Sequence, residues 1–472
     1  MTATLLETDI GGIELHGGYP SEESVALLYD ELDFQRACQA YIWGTPAVEM
    51  QVMTEGLERD CGLSLTTVGI FEDFLDPKTL VATGNGQSIY ALGNIDLGKT
   101  GPVVIETPAN VLGFVMSGWQ QPLEDLGPLG PDKGKGGRFL LLPPGQDANV
   151  PGGYFAVPSD TLLVSWVVRG YVKDGKRDAA VQAIKGMRIY RLIDHAKPPA
   201  MRFVNLSGKR ATLLPVGDTL DGLAYFQKLA AFIQREPVRE QDKQVLGMLA
   251  GLGIARDKAF APDARTKAIL EKAAHIGHAM TATLAYASRA PGKEKWPGSR
   301  WEELLITEHA DFVGPDQIDL DARAALYYQA VGASKRAQLA LVGVGSKYAA
   351  TFKDQKGHWL NGEHAYHLYV PPDPPAKDFW SVTVYDAGTR SMIDTDQGRA
   401  GLGSYDALET NADGSVELYF GPQPPQSKAR QANWVKTKPG AGFFLYFRWY
   451  GPLKAYFDGT WRLPDVERID RV

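Results

Sequence analysis

The chain has 472 residues, so two or three domains are expected rather than one core. Its 44% hydrophobic and 22% charged residues exclude a disordered chain, and a net charge of -7 argues against a nucleic-acid backbone as partner. No apolar run reaches the roughly 18 residues needed to span a membrane.

The N-terminus reads "MTATLLETDIGGIELHGG". It has no basic segment followed by an apolar one, so a cytoplasmic location is expected. Residues 21–60 have helical spacing, and Gly44 followed by Pro46 reads as a break between two helices of a hairpin. On that hairpin Cys38 and Cys61 would stand about 15 Å apart, too far for a disulfide. Two free, buried thiols are the expectation.

From about 64 to 172 the pattern turns to short apolar runs: "SIYALGNIDL", "GPVVIETP", "VLGFVMSGW", "GRFLLLPPG" and "TLLVSWVVRGY". Gly, Pro, Asn and Asp punctuate them, as in all-β sandwiches and barrels. "GPLGPDKGKGGR" reads as an exposed, mobile loop rather than a phosphate loop, because no strand precedes it and no helix follows. Residues 218–335 return to helical spacing, with apolar residues recurring every three and four. From about 340 to 466 the chain is β again, through "YAATFKD", "HAYHLYVP", "FWSVTVYD", "SVELYFG" and "GFFLYFRWYG".

Histidine chemistry centres on "HWLNGEHAYHLYV". In a strand, residues two apart share a face, so His364 and His367 point to opposite sides. That is poor for chelation, and no metal or other cofactor is expected. His367 and Glu363 retain acid–base capacity. His275 with His278, and Glu308 with His309 and Asp311, read more plainly as polar surface. No G-x-S-x-G elbow and no G-x-G-x-x-G turn is present.

The last strands carry more information. In "FWSVTVYD", Trp380, Val382 and Val384 make an apolar face; Ser381, Thr383 and Tyr385 make a polar one. In "GFFLYFRWYG", Phe443, Leu445, Phe447 and Trp449 face one way. Phe444, Tyr446, Arg448 and Tyr450 face the other. An arginine among aromatics suits an anion clamp, because its fork is planar and stays charged. The plainer alternative packs this face against the helices.

The same segments resemble a known family. "NGEHAYHLYVPPDPPAKDFWSVTVYD", "NADGSVELYFG", "ANWVKTKPGAGFFLYFRWYGP" and "DGTWRLPDVERI" are similar to the C-terminal part of bacterial proteins with paired DUF1254 and DUF1214 domains. "QAYIWGTPAVEM", "GNGQSIYALGNIDLGKTGPVVIETP" and "GRFLLLPPG" resemble the N-terminal part. Gln87 and Ser88 depart from that family's Asn-x-Asp-Thr pattern. The resemblance implies two jelly-roll-like β-sandwich domains joined by a helical segment, and it implies no particular activity. The expected division is a helical hairpin at 1–62, a β-sandwich at 63–200, a helical linker at 201–335 and a second β-sandwich at 336–472.

The functional expectation is a hydrolase or lyase for an organic, aromatic or anionic small molecule bound in a cleft between the β-domains. His367, Glu363 and Tyr385 are its candidate catalytic residues. Arg448, Tyr446, Tyr450, Trp119 and Trp380 are its candidate substrate contacts. The alternatives are a binding protein for a hydrophobic ligand or carbohydrate, without turnover, and a module that forms homo-oligomers through its sheet faces.

Overall fold

The computed structural model describes residues 3–147, 150–172, 176–209, 211–213, 222–305 and 307–469. The first four residues of the expected helical region, 218–221, lie outside them. Among the described residues the fold is β-rich with helices, and no helix is long and apolar enough to cross a membrane.

Residues 3–20 are not helical. They form a small antiparallel sheet from Ala3–Thr8, Gly11–His16 and Tyr19–Pro20. A single helix, Glu22–Cys61, follows. Ser21 caps its start by accepting from the Ser24 amide, and Gly62, at φ 63°, ends it in the left-handed conformation that glycine adopts freely.

The expected hairpin break at Gly44 is therefore absent. Pro46 removes one intrahelical hydrogen bond, which in isolation would kink or break the helix. Here neighbours take up the local carbonyls. Tyr225 donates to Tyr41 O at 2.6 Å, Arg323 to Trp43 O at 2.9 Å, and Gln120 to Pro46 O at 3.0 Å. Both cysteines sit on this one helix and are free; Cys38 is buried and Cys61 half-buried. Helices Leu223–Arg235, Ala264–Tyr286 and Leu320–Gln329 pack around it.

The first β region has two large sheets, beside a short pair of strands, Thr79–Leu80 and Ala211–Thr212. Six strands run in the order Arg202–Asn205, Thr67–Ile70, Ile89–Asp96, Leu163–Gly170, Val111–Ser117 and Pro122–Leu126. Four more run Phe155–Pro158, Gly137–Leu142, Val103–Thr107 and Arg188–Arg191. Residues from both, such as Ile89, Ala91 and Trp166 with Ile105 and Leu141, share one buried core. The segment read as an exposed loop, 127–138, is held instead by the buried Asp132, whose carboxylate accepts from Gly127 and Gly136.

The second β region repeats the plan. A five-stranded sheet runs Glu302–Glu303, Ser346–Thr351, Phe443–Pro452, Ala376–Asp386 and Gly401–Gly403. A four-stranded sheet runs Trp434–Lys436, Val416–Gly421, Ala365–Val370 and Glu467–Ile469. Leu368, Val370 and Phe420 of the second meet Val382, Leu445 and Phe447 of the first in the largest core. Strand Phe443–Pro452 is buried along its whole length, so both of its faces are covered.

Candidate functional site

The outer face of the six-stranded sheet and the outer face of the five-stranded sheet look at each other across a cavity of about 700 Å³. Strand pairing builds each wall. On the first sheet Arg169 lies in register between Tyr90 and Leu112, and Val167 between Leu92 and Phe114. All six line the cavity. On the second sheet Tyr348 lies beside Arg448, and Ser346 beside Tyr450. Segment 330–348 and helix Leu320–Gln329 close one side.

Arg448 is 3% exposed and makes three hydrogen bonds to protein. It donates to Thr383 Oγ1 at 3.0 Å, to Thr83 O at 3.0 Å and to the Tyr385 hydroxyl at 2.6 Å. Tyr348, Tyr385 and Tyr446 present their rings to it at 5.3–5.5 Å. Thr83 belongs to the first β region and is held at φ 41° while its amide donates to Arg390 O. Arg448 thus ties the two β regions together.

Arg169 is less engaged. It is half-buried, and among the described residues its guanidinium makes one hydrogen bond, to Ser346 Oγ at 3.2 Å. It lies over the Tyr450 ring at 5.8 Å. No carboxylate of the described residues pairs with it; the groups facing it are the hydroxyls of Tyr348, Tyr90, Tyr450 and Tyr171. A guanidinium carries five N–H donors, so most of this one is open to a ligand. Burial works against the charge on both arginines, and both stay cationic because a guanidinium holds its proton at any ordinary pH.

The tyrosines behave as donors. Burial raises the hydroxyls of Tyr385, Tyr446 and Tyr450 above their ordinary range, although Arg448 pulls each of them down. Tyr385 donates to Gly84 O at 2.6 Å and Tyr446 to Gln329 Oε1 at 3.0 Å. Asn85 joins the floor by donating to the Tyr450 and Tyr90 hydroxyls.

Of the residues singled out in the sequence, the structure therefore brings Tyr385, Tyr446, Arg448 and Tyr450 together. It places the others elsewhere. Trp380 stacks on Phe447 at 5.3 Å, on the opposite face of the sheet. Trp119 sits between Trp43 and Phe232 beside the long helix, with Arg239 over its ring at 4.8 Å. His367 points away from the core of its strand, toward Glu417 at 4.0 Å and the Tyr419 ring. Burial lowers its pKa, against the pull of Glu417. Glu363 is exposed in the turn before that strand. The two are not part of the cavity wall. The His358 backbone amide donates to the Asp354 carboxylate, and no group of three His, Cys, Asp or Glu side chains among the described residues is placed to hold a metal ion.

Sequence reasoning missed Arg169. Its signal was a charged residue closing an otherwise apolar strand, "LLVSWVVRGY". Asn85 and Tyr90 were quoted within "GNGQSIYALGN" without a role. Gln87, the departure from the family pattern, does not line the cavity.

No curated protein matches the chain. Among solved structures, the VPA0106 protein from Vibrio parahaemolyticus is similar in fold, with a TM-score of 0.55, 18% identity, and coverage of 93% of this chain and 100% of that one. An uncharacterized protein from Burkholderia cenocepacia aligns with a TM-score of 0.41 and 15% identity, over 94% of this chain and 96% of that one. Residues 65–191 match the family model described as a protein of unknown function, DUF1254, and residues 345–454 match the one described likewise as DUF1214. The cavity wall draws on both segments, and the chain belongs to the family of proteins that pair a DUF1254 with a DUF1214 domain.

Proposed function

We propose that the chain binds a small organic anion in the cavity between its two β regions, with Arg169 contacting the anionic group. The observation that carries this is the state of Arg169: a cation facing a cavity, beside tyrosines, with one hydrogen bond and no carboxylate partner among the described residues. Burying a charge without a counter-ion is costly, and a ligand anion would supply the missing partner. Tyr90 and Tyr348 stand beside it as further hydrogen-bond groups. Arg448 positions the floor rather than touching the ligand.

Binding without turnover is the reading we prefer over a hydrolase or lyase. Proton abstraction needs a base poised near the working pH. Burial moves the floor tyrosines the other way. As to architecture, we read each pair of facing sheets as a sandwich of jelly-roll type. In support, the chain crosses from one sheet to the other after Ser346–Thr351, back before Ala376–Asp386, and again on either side of Phe443–Pro452.

The test is calorimetric titration of the chain with organic acids and their uncharged amides. Acids binding at least about tenfold tighter than amides, with the difference lost in Arg169→Met, is the expected result. Equal binding of acid and amide to the unaltered chain would refute it.

A further inference from the structure

The wall of this cavity sets Arg169, a cation with no carboxylate partner among the described residues, amid mostly aliphatic side chains, and that composition names a class of ligand. At the floor stand Arg169, Arg448 and the tyrosines. Around them the lining is largely aliphatic, as at Leu92, Leu112, Val167 and Leu326, with Phe71 and Phe114 among these and a few charged side chains such as Glu308 and Arg336. At the rim, Leu339, Leu341 and Val344 both line the cavity and face solvent, with 48%, 37% and 39% of their surface exposed. Val342, between them, is 56% exposed. Four large aliphatic side chains within six residues form a contiguous apolar mouth, where a surface loop would ordinarily be polar.

We propose that the ligand is a single-chain aliphatic carboxylate, bound head-first. This rests on the anion-binding reading above and adds the identity of the rest of the molecule. The carboxylate meets Arg169 at the floor, where Tyr90 and Tyr348 complete its hydrogen bonds. The alkyl chain runs up the aliphatic wall, and its end emerges at Leu339, Leu341 and Val344. Charge complementarity fixes the direction: Arg169 has no carboxylate partner among the described residues, whereas the lining's Lys295 and Arg336 are paired with Glu303 and Glu124, and Lys347 donates to Ala337 O. Of the aromatic residues of the lining, Tyr90, Tyr348 and Tyr446 stand by the arginines, and Phe71, Phe114, Tyr456 and Phe457 are outnumbered by aliphatic side chains, so an alkyl chain matches more of the wall than a flat aromatic body does.

The experiment is displacement of a fluorescent probe from the full chain by octanoate, dodecanoate, hexadecanoate, benzoate and dodecanol, each below its micelle concentration. It is repeated with Arg169→Met and with the rim variant Leu339→Glu/Leu341→Glu. The rim residues are solvent-exposed, so that variant is expected to fold. Affinity should rise at least about tenfold from octanoate to dodecanoate as methylenes leave water. Dodecanol should bind at least about tenfold more weakly than dodecanoate, and Arg169→Met should abolish that difference. The rim variant should weaken hexadecanoate at least about fivefold and octanoate less than about twofold. Benzoate and octanoate binding as tightly as hexadecanoate, all through Arg169, would overturn the aliphatic class and leave the anion reading standing. Dodecanol matching dodecanoate, with Arg169→Met unchanged, would overturn the anion reading itself. Failure of every compound to displace the probe would overturn both.

Discussion

Arg448 and Arg169, both in the cavity lining, offer a sharp contrast, because the first holds protein together and the second faces space. Removing Arg448 strands three buried partners. Thr83 O and the Tyr385 hydroxyl lose charge-assisted hydrogen bonds, and Thr383 Oγ1 loses a third. Such bonds are worth about 1.5–3 kcal/mol each, offset in part by no longer burying a charge. Arg448→Met should therefore cost about 2–4 kcal/mol of stability. Removing Arg169 strands only Ser346 Oγ, which keeps the Tyr348 hydroxyl at 2.7 Å. Arg169→Met should change stability by less than about 1 kcal/mol and weaken binding of an organic acid about 10- to 150-fold, the equivalent of 1.5–3 kcal/mol. Urea unfolding measures the first quantity and calorimetry the second. The reasoning fails if Arg169→Met unfolds the chain, or if Arg448→Met is as stable as the unaltered protein.

Other outcomes follow from the same geometry. Burial pushes the Glu49 carboxyl up to about 8, against Arg390 and a hydrogen bond from Gln120. The folded chain then keeps a proton there that the unfolded chain releases near 4.5, so stability should fall as pH rises from about 5 to 8, by about 2–4 kcal/mol. Glu49→Gln should flatten that slope in urea titrations across the window; an unchanged slope would place the carboxylate in its charged form. Gly44→Ala improves helix propensity by about 1 kcal/mol, yet a Cβ there would come within 2.9 Å of Leu229 and 3.1 Å of the Tyr225 hydroxyl. Overpacking at about 1–3 kcal/mol should win, giving a lower melting temperature. Asn85→Ala removes the amide that joins the Tyr450 and Tyr90 hydroxyls across the two β regions, and should cost about 1–3 kcal/mol in urea unfolding. His367→Ala, on the outer side of the four-stranded sheet, should leave ligand affinity within about twofold in calorimetry; a large loss would return the site to that strand.

Strand alternation carried the readable part of the site. In "GFFLYFRWYG" the period of two separates Tyr446, Arg448 and Tyr450 from Phe447 and Trp449, and the structure keeps that division. The same rule puts Trp380 on the apolar face with Val382, which is where it packs, away from the cavity. Other features depend on contacts between distant segments. Arg169 becomes a site residue only because its strand pairs with Ile89–Asp96 and Val111–Ser117 and turns that face toward the second β region. The helix passes through Gly44 and Pro46 with Tyr225, Arg323 and Gln120, remote in sequence, donating hydrogen bonds to its local carbonyls. A break signal read from Gly and Pro alone cannot register such partners. The histidines of "HWLNGEHAYHLYV" drew attention by composition, yet His358, His364 and His367 stand on or beside a sheet whose buried face is made by Tyr366, Leu368 and Val370.

The central claim is that Arg169 receives an anion, and a crystal structure of the chain with dodecanoate tests it most directly. The account predicts a carboxylate oxygen within about 3.2 Å of an Arg169 nitrogen, with the chain leading toward Leu339 and Leu341. A carboxylate bound at His367 or elsewhere on the surface, with Arg169 still bonded to Ser346 alone, would contradict it.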